Sequence, residues 1–344
     1  MPDHASTRVY RFHEYGGPDR LKLEEESLTE QGHGEVRVRV QAMGLNRADL
    51  LYLANAYIES PRLPSRLGYE ISGTVEAVGP GVTAFRAGDR VSSIPAFSIS
   101  DYANFGETAT LPERGLMKTP DRLTPAQGAS FAFAYFTGYF ALMELARLQP
   151  YQSVLVTAAT STTGQAAIPI IHKAGATVIA TTRTSKKKGV LVEAGADHVI
   201  ATEEEDLPAR VLEITGGRGV DVAYDCVAGN LSEKIVQSTA VRGHWIVYGL
   251  MDYAPVPFPW LSAFIRSLRF DLYAVFNYTG NRHLGLLGDE AAFARARHFV
   301  GTGLGDGSLP PVLIDREFKG LESLPEALTY MGSNQAAGRI VVTL

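Results

Sequence analysis

The chain has 344 residues, 45% of them apolar and 20% charged, enough for about two globular domains at roughly 150 residues each and unlike a disordered, collagenous or coiled-coil composition. Its 32 basic and 37 acidic residues leave a net charge of −5, which offers no general field for nucleic acid or anionic lipid. Cys226 is the single cysteine, so an intramolecular disulfide and a multi-cysteine zinc site are excluded and the cytoplasm is the expected compartment.

The first residues lack an apolar core behind a basic head, so no secretory signal is expected. Val36, Val38, Val40 and Ala42 alternate with Arg37, Arg39 and Gln41, a period of two that predicts a half-buried strand. From Gly68 onward, Gly79-Pro80-Gly81 and Gly88-Asp89 punctuate short β-branched runs, as in a small antiparallel barrel or meander. The uncharged stretch 123–143 is long enough to span a bilayer, but its Pro125, Gln127 and Gly128 make it buried core instead.

After Pro150 the apolar runs lose their alternation, and a helix-length segment follows each, the pattern of a parallel sheet covered on both faces. Strands are predicted at Val154, Thr177, His198, Val220 and His244, with helices at 164–173, 186–193 and 231–240. Five strands alternating with helices make a doubly wound α/β fold. Pro169 falls inside the first helix, where a kink is expected. Beyond Trp260, residues 291–300 and 324–331 look helical, and Val312 to Ile314 and Ile340 to Leu344 look like strands returning to the first domain.

The turn after the first parallel strand reads Ala159-Thr160-Ser161-Thr162-Thr163-Gly164. A dinucleotide site needs a tight turn, close backbone approach and close helix packing, which three glycines usually supply. Only Gly164 remains, with small and hydroxyl-bearing residues beside a helix N-terminus that favours an anion; by itself the motif fits an ordinary strand-turn-helix equally well. At the end of the second strand, Thr182 stands where an NAD site usually has an acid, and Arg183, Lys186, Lys187 and Lys188 follow. Cations at a helix start oppose its dipole, so either a 2′-phosphate binds there, read by Arg183, or the face is simply solvated.

The motifs GLNRADL at 44–50, GYEISGTVEAVG at 68–79, GDRV at 88–91, YFTGYFAL at 135–142, AGADHVI at 194–200 and AGRIVV at 337–342, with the nucleotide turn, run in an order and spacing that resembles the medium-chain dehydrogenases and reductases. Within them the chain is similar to the zinc-independent quinone oxidoreductase and enoyl reductase branch. The resemblance implies a GroES-like β-barrel domain over residues 1–125 and 277–344, a Rossmann domain over 126–276, and an active site in the cleft between them. It implies an NADPH-dependent enzyme passing hydride to a quinone or an α,β-unsaturated carbonyl compound. A non-catalytic NADPH-binding structural or regulatory protein and an alcohol dehydrogenase-type reductase are the alternatives. Asn46 and Tyr69 stand where the alcohol dehydrogenase branch places zinc ligands, so no metal is expected; Glu70 alone does not make a metal site.

By the same resemblance, Asn46 and Tyr57 are candidate donors to the oxygen that gains negative charge, with Tyr52 as alternate. Thr137, Ala159, Thr160, Ser161, Thr162, Thr163, Gly164, Thr182, Arg183, Lys187, Thr202, Val227, Gly249 and Arg339 are the expected cofactor contacts. Cys226 is expected to be core filler. The proline-rich segment after Pro255 carries Phe258, Trp260 and Phe264, as a wall of the substrate pocket or as a loop packed at a subunit interface, for which a homodimer is expected.

Overall fold

A computed structural model describes residues 6–344; residues 1–5, on which the secretory-signal reading partly rests, lie outside the described residues. The chain divides into two compact units, one comprising Met1–Phe133, Phe276–Gly307 and Pro311–Leu344, the other Ala134–Val275 and Ser308–Pro310. Fifteen strands occur among the described residues. The first seven are β1 (Ser6–Phe12), β2 (Leu21–Ser27), β3 (Glu35–Gly44), β4 (Glu70–Val78), β5 (Arg90–Ser93), β6 (Thr108–Pro112) and β7 (Leu116–Lys118). Then follow β8 (Ser153–Val156), β9 (Thr177–Thr182), β10 (His198–Ala201), β11 (Val220–Asp225), β12 (Thr239–Val247) and β13 (Arg269–Leu272), and the chain closes with β14 (Ile314–Lys319) and β15 (Arg339–Thr343).

In the first unit β1 and β2 form a hairpin sheet, and the main sheet runs β14-β15-β3-β4-β5-β7 with β6 also on β3. Its pairings are antiparallel except β14 with β15. The closing strands do return: Val342 lies opposite Met43. Val36, Val38 and Val40 are buried as their alternation requires. Gly44 in β3 is enforced by contact, since a Cβ there would lie 1.7 Å from the Ala129 carbonyl oxygen.

The second unit is a parallel sheet in the order β10-β9-β8-β11-β12-β13, covered by helices that include Thr162–Lys173, Leu207–Ile214 and Ser232–Ser238. This is the doubly wound arrangement expected, with a sixth strand that the five apolar runs did not announce. β13 lies at the edge, half exposed and with charged residues in it, so it lacks the continuous apolar run of a central strand. The chain remains helical across Pro169. The stretch 123–143 folds into short, largely buried helices, and no helix among the described residues is long and apolar enough to cross a membrane.

Three boundaries differ from the sequence pattern. The helix expected at 231–240 ends at Ser238, and Thr239 already belongs to β12. The strand expected at Val312 starts at Ile314. The helix expected at 291–300 extends over Glu290–Asp306, through the glycine-rich GTGLGD, because Leu304 and Gly303 are buried on its inner face; tertiary burial overrides weak helix propensity there.

Candidate functional site

In the second unit, β8 leads through a tight turn into the helix Thr162–Lys173. Ala158 in this turn has a left-handed φ of 42°. Ser161 caps the helix, its side chain accepting from the Gly164 N–H at 3.1 Å, while Gln165 Nε2 donates to the Thr160 carbonyl at 3.0 Å. The N–H groups of Thr162 and Thr163 face the open helix end, where helical geometry supplies no acceptor. Ala159 is fully buried, and a Cβ on Gly164 would fall 2.6 Å from the Ala159 Cα. Only glycine allows this approach, so the third glycine of the motif serves helix-strand packing, beside a helix N-terminus of the kind that favours an anion.

Thr182 ends β9 and is buried, and Arg183 beyond it is exposed. Ser185–Lys187 forms a tight turn before the helix Lys188–Glu193. Two acids face this basic turn. Lys188 Nζ donates to Glu205 Oε1 at 2.6 Å, and Glu204 Oε1 accepts from the Ser185 N–H at 3.0 Å. The run Glu203-Glu204-Glu205 carries no motif; it comes alongside because β9 and β10 pair in parallel, with Thr182 opposite Ala201. Thr202 is tied to the same edge, its N–H donating to the Thr182 carbonyl at 2.9 Å.

The end of β11 is organised by Asp225, which is fully buried. Its carboxylate accepts from Thr157 Oγ1 at 2.5 Å, Trp245 Nε1 at 3.0 Å and the Val227 N–H at 2.8 Å. Burial raises its pKa above the usual carboxylate range, against these donors. The clamp sets the turn in which Ala228 takes a φ of 55°. Gly249 packs on Cys226, whose thiol is buried and pushed up to about 12, which leaves it un-ionised and unreactive. Thr137 is buried in the helix Ala132–Tyr139. Phe258 turns inward, 6.0 Å from Trp245 and 5.0 Å from Phe270 between ring centroids, and these rings line a cavity of about 280 Å³. Trp260 touches the Phe258 ring at 4.6 Å between centroids, but it and Phe264 remain 75% and 84% exposed.

The first unit holds the other candidates. Asn46 precedes the helix Arg47–Leu53, and its N–H donates to Asp49 Oδ2 at 2.7 Å. Its amide is held at both ends. Nδ2 donates to Glu70 Oε2 at 3.0 Å and makes a long contact of 3.4 Å to the Gly44 carbonyl, while Oδ1 accepts from Arg339 Nη1 at 2.8 Å. Arg339 also pairs directly with Glu70, both side chains almost wholly buried, and the Phe133 N–H donates to Glu70 Oε1 at 3.0 Å. Burial pushes the Asp49 carboxyl up to about 7 and the Arg339 guanidinium down to about 9.

Arg339, expected among the cofactor contacts, is thus engaged by Glu70 and Asn46, for a physical reason: a carboxylate buried in β4 requires a cation. An amide, one carboxylate and a guanidinium are not a donor set for zinc, since a divalent cation on Glu70 would sit against the guanidinium.

Tyr52 is fully buried, with its hydroxyl 3.2 Å from Ser65 Oγ and 3.3 Å from Ser100 Oγ. Tyr57 is half-buried, edge-on to Tyr69 with ring centroids 6.2 Å apart. Tyr69 is wedged against Phe97, Phe133 and Phe276 at 5.1 to 5.9 Å and donates to Glu59 Oε1 at 3.0 Å. Asn281 Nδ2 donates to the same oxygen at 2.6 Å, and Ser98 Oγ donates to Oε2. Glu59, Ser98 and Asn281 carry no local signal, since Asn281 lies 222 residues from Glu59.

Comparison with known proteins follows the same division. Residues 32–121 match the model described as the alcohol dehydrogenase GroES-like domain, and 162–283 match that described as zinc-binding dehydrogenase. The chain is similar to a quinone oxidoreductase-like protein 2 homolog of Nematostella vectensis, with 33% identity over 98% of this chain and 89% of the relative. It is 30% identical to a 2-haloacrylate reductase of Burkholderia sp over 96% of this chain and 97% of that one. Among solved structures, Escherichia coli quinone oxidoreductase complexed with NADPH superposes with a TM-score of 0.85 at 25% identity, covering 99% of this chain and 100% of that chain.

Proposed function

Because the chain belongs to the quinone oxidoreductase-like branch of the medium-chain dehydrogenase/reductase superfamily, we propose that it is an NADPH-dependent reductase of quinones or α,β-unsaturated carbonyl compounds that works without a metal ion. The observation that carries this reading is the Asn46–Glu70–Arg339 cluster: a guanidinium, not a metal, is the fixed cation beside the candidate donors. The nicotinamide supplies the hydride when bound. The open N–H groups of Thr162 and Thr163 and the close Gly164 packing fit its pyrophosphate. Exposed Arg183, with Lys187 next to it in the basic turn, fits a 2′-phosphate. Negative charge that collects on the acceptor oxygen needs a donor; Tyr57 is half-buried with a neutral phenol, and burial raises its pKa. The engaged hydroxyl of Tyr52 favours a packing role. Exposed Trp260 and Phe264 beside the edge strand β13 favour an interface over a substrate wall, which supports a homodimer.

The test is NADPH oxidation with a panel of quinones and enones, in the presence of a chelator. Turnover is expected with at least one acceptor; tight NADPH binding without turnover for any of them would overturn the enzymatic reading in favour of a binding protein, and loss of turnover with chelator would restore the metal. Arg183→Ala is expected to weaken NADPH binding by about 1.5–3 kcal/mol, roughly 10- to 150-fold, and NADH binding little. Equal losses would show that Arg183 does not read the phosphate.

A further inference from the structure

Four cations follow β9 in the sequence, but the fold brings acids to the same turn, and one of them occupies its donors. Lys188 is committed to Glu205, which also accepts from the Ala201 N–H at 2.7 Å and lies 3.3 Å from the Arg210 guanidinium. Glu204 is exposed and engages Ser185 twice through one oxygen: Oε1 accepts from the Ser185 N–H at 3.0 Å and from its Oγ at 3.3 Å. Arg183 and Lys186, close to Ser185 in the chain, are exposed, and the Arg183 carbonyl accepts from the Glu203 N–H at 3.0 Å.

Ser185 opens the tight turn Ser185–Lys187, and the first N–H groups of a helical turn have no acceptor within it. Here the chain supplies the anion itself, as the Glu204 carboxylate. The place matters, because the end of the second strand of a dinucleotide-binding fold reads the 2′ position of the ribose, by an acid for a hydroxyl or by a cation for a phosphate. Thr182 puts no carboxylate at the end of β9, yet an acid stands at this turn after all, contributed by the end of β10 through the parallel pairing of the two strands. A carboxylate in that place accepts from a 2′-hydroxyl and repels a 2′-phosphate. Glu204 is exposed, so its hold on Ser185 competes with water and is weak enough to be given up.

We propose that Glu204 is a specificity-determining residue for the cofactor: it occupies Ser185 donors that a 2′-phosphate would use, and so holds down the preference for NADPH over NADH. This rests on the reading that the turn after β9 receives the 2′-phosphate. Arg183 supplies the attraction and Glu204 opposes it, so the discrimination is the difference between two opposed charges at one turn. Glu205 acts on the same balance from the other side, since it neutralises Lys188 and leaves the cations nearer Ser185 to meet the ligand.

The experiment needs no turnover. Adenosine 2′,5′-bisphosphate and adenosine 5′-monophosphate, which differ only in the 2′-phosphate, are titrated calorimetrically into the wild type, Glu204→Gln, Glu204→Lys and Arg183→Ala, with circular dichroism as a check of folding. Glu204→Gln keeps an acceptor for Ser185 and removes the charge. It is expected to tighten the bisphosphate about fivefold at low salt, the upper end for an exposed charge pair, and to leave the monophosphate within about twofold. Glu204→Lys should raise the ratio of the two Kd values further, and high salt should shrink both gains, because exposed charges are screened. A ratio unchanged or lowered in Glu204→Gln would overturn the inference and leave Glu204 only a support of the turn. The phosphate reading would still stand if Arg183→Ala weakened the bisphosphate selectively. Equal losses of both ligands in Arg183→Ala would overturn that reading and this inference with it.

Discussion

Arg339 and Glu70 form a pair that is almost entirely removed from water. Such a pair adds little net stability over an apolar one, but removing one member leaves a buried charge that costs about 3–5 kcal/mol. Arg339→Met should therefore be severely destabilised in denaturant unfolding, and adding Glu70→Gln should recover most of the loss. Additive losses in this double-mutant cycle would show that the two do not act together. The residue types here were legible beforehand: Asn46 and Tyr57 were candidates, and Glu70 was noted as a lone acid among apolar neighbours. Their partners were not, because Arg339 meets Asn46 across 293 residues of chain, and no local pattern encodes which buried acid a distant cation will neutralise.

At the scale of elements, the strand-turn-helix at Gly164 was the most readable part of the site. Its apolar strand, small turn residues and helix start are local features, and the contact of Gly164 with Ala159 supplies the reason for the glycine. Gly164→Ala should push the helix from the strand and cost at least roughly tenfold in NADPH affinity, followed by fluorescence titration, while near-native secondary structure persists. Unchanged affinity would show that the turn absorbs a methyl group. The helix Glu290–Asp306 was less readable: its inner-face burial outweighs three glycines. The acids at Glu204 and Glu205 were invisible for a related reason, since only the parallel pairing of β9 with β10 brings them to the basic turn.

For the whole molecule, the edge strand β13 and the helix Trp260–Ile265 present an apolar surface, with Leu261 at 73%, Phe264 at 84% and Leu272 at 72% exposure. An exposed strand edge beside so many large apolar side chains is a liability for a monomer. Analytical ultracentrifugation is expected to find a dimer, and Leu272→Lys with Phe264→Asp is expected to yield a monomer; a wild-type monomer at micromolar concentration would remove the interface. The same surface shows why the aromatic segment after Pro255 could not be assigned from its residues. Phe258 packs inward while Trp260 and Phe264 face outward, and composition does not distinguish the two.

The sequence by itself determined the class of fold, the return of the closing strands to the first sheet, the family and the place of the nucleotide turn, because strand alternation, apolar runs, glycine positions and motif order are local or ordered along the chain. Only the tertiary structure decided that Arg339 neutralises Glu70, that acids line the basic turn, and that Tyr69, Ser98 and Asn281 converge on Glu59. Those contacts come from burial, which obliges polar groups to find partners wherever the fold brings them, at sequence separations that no pattern records.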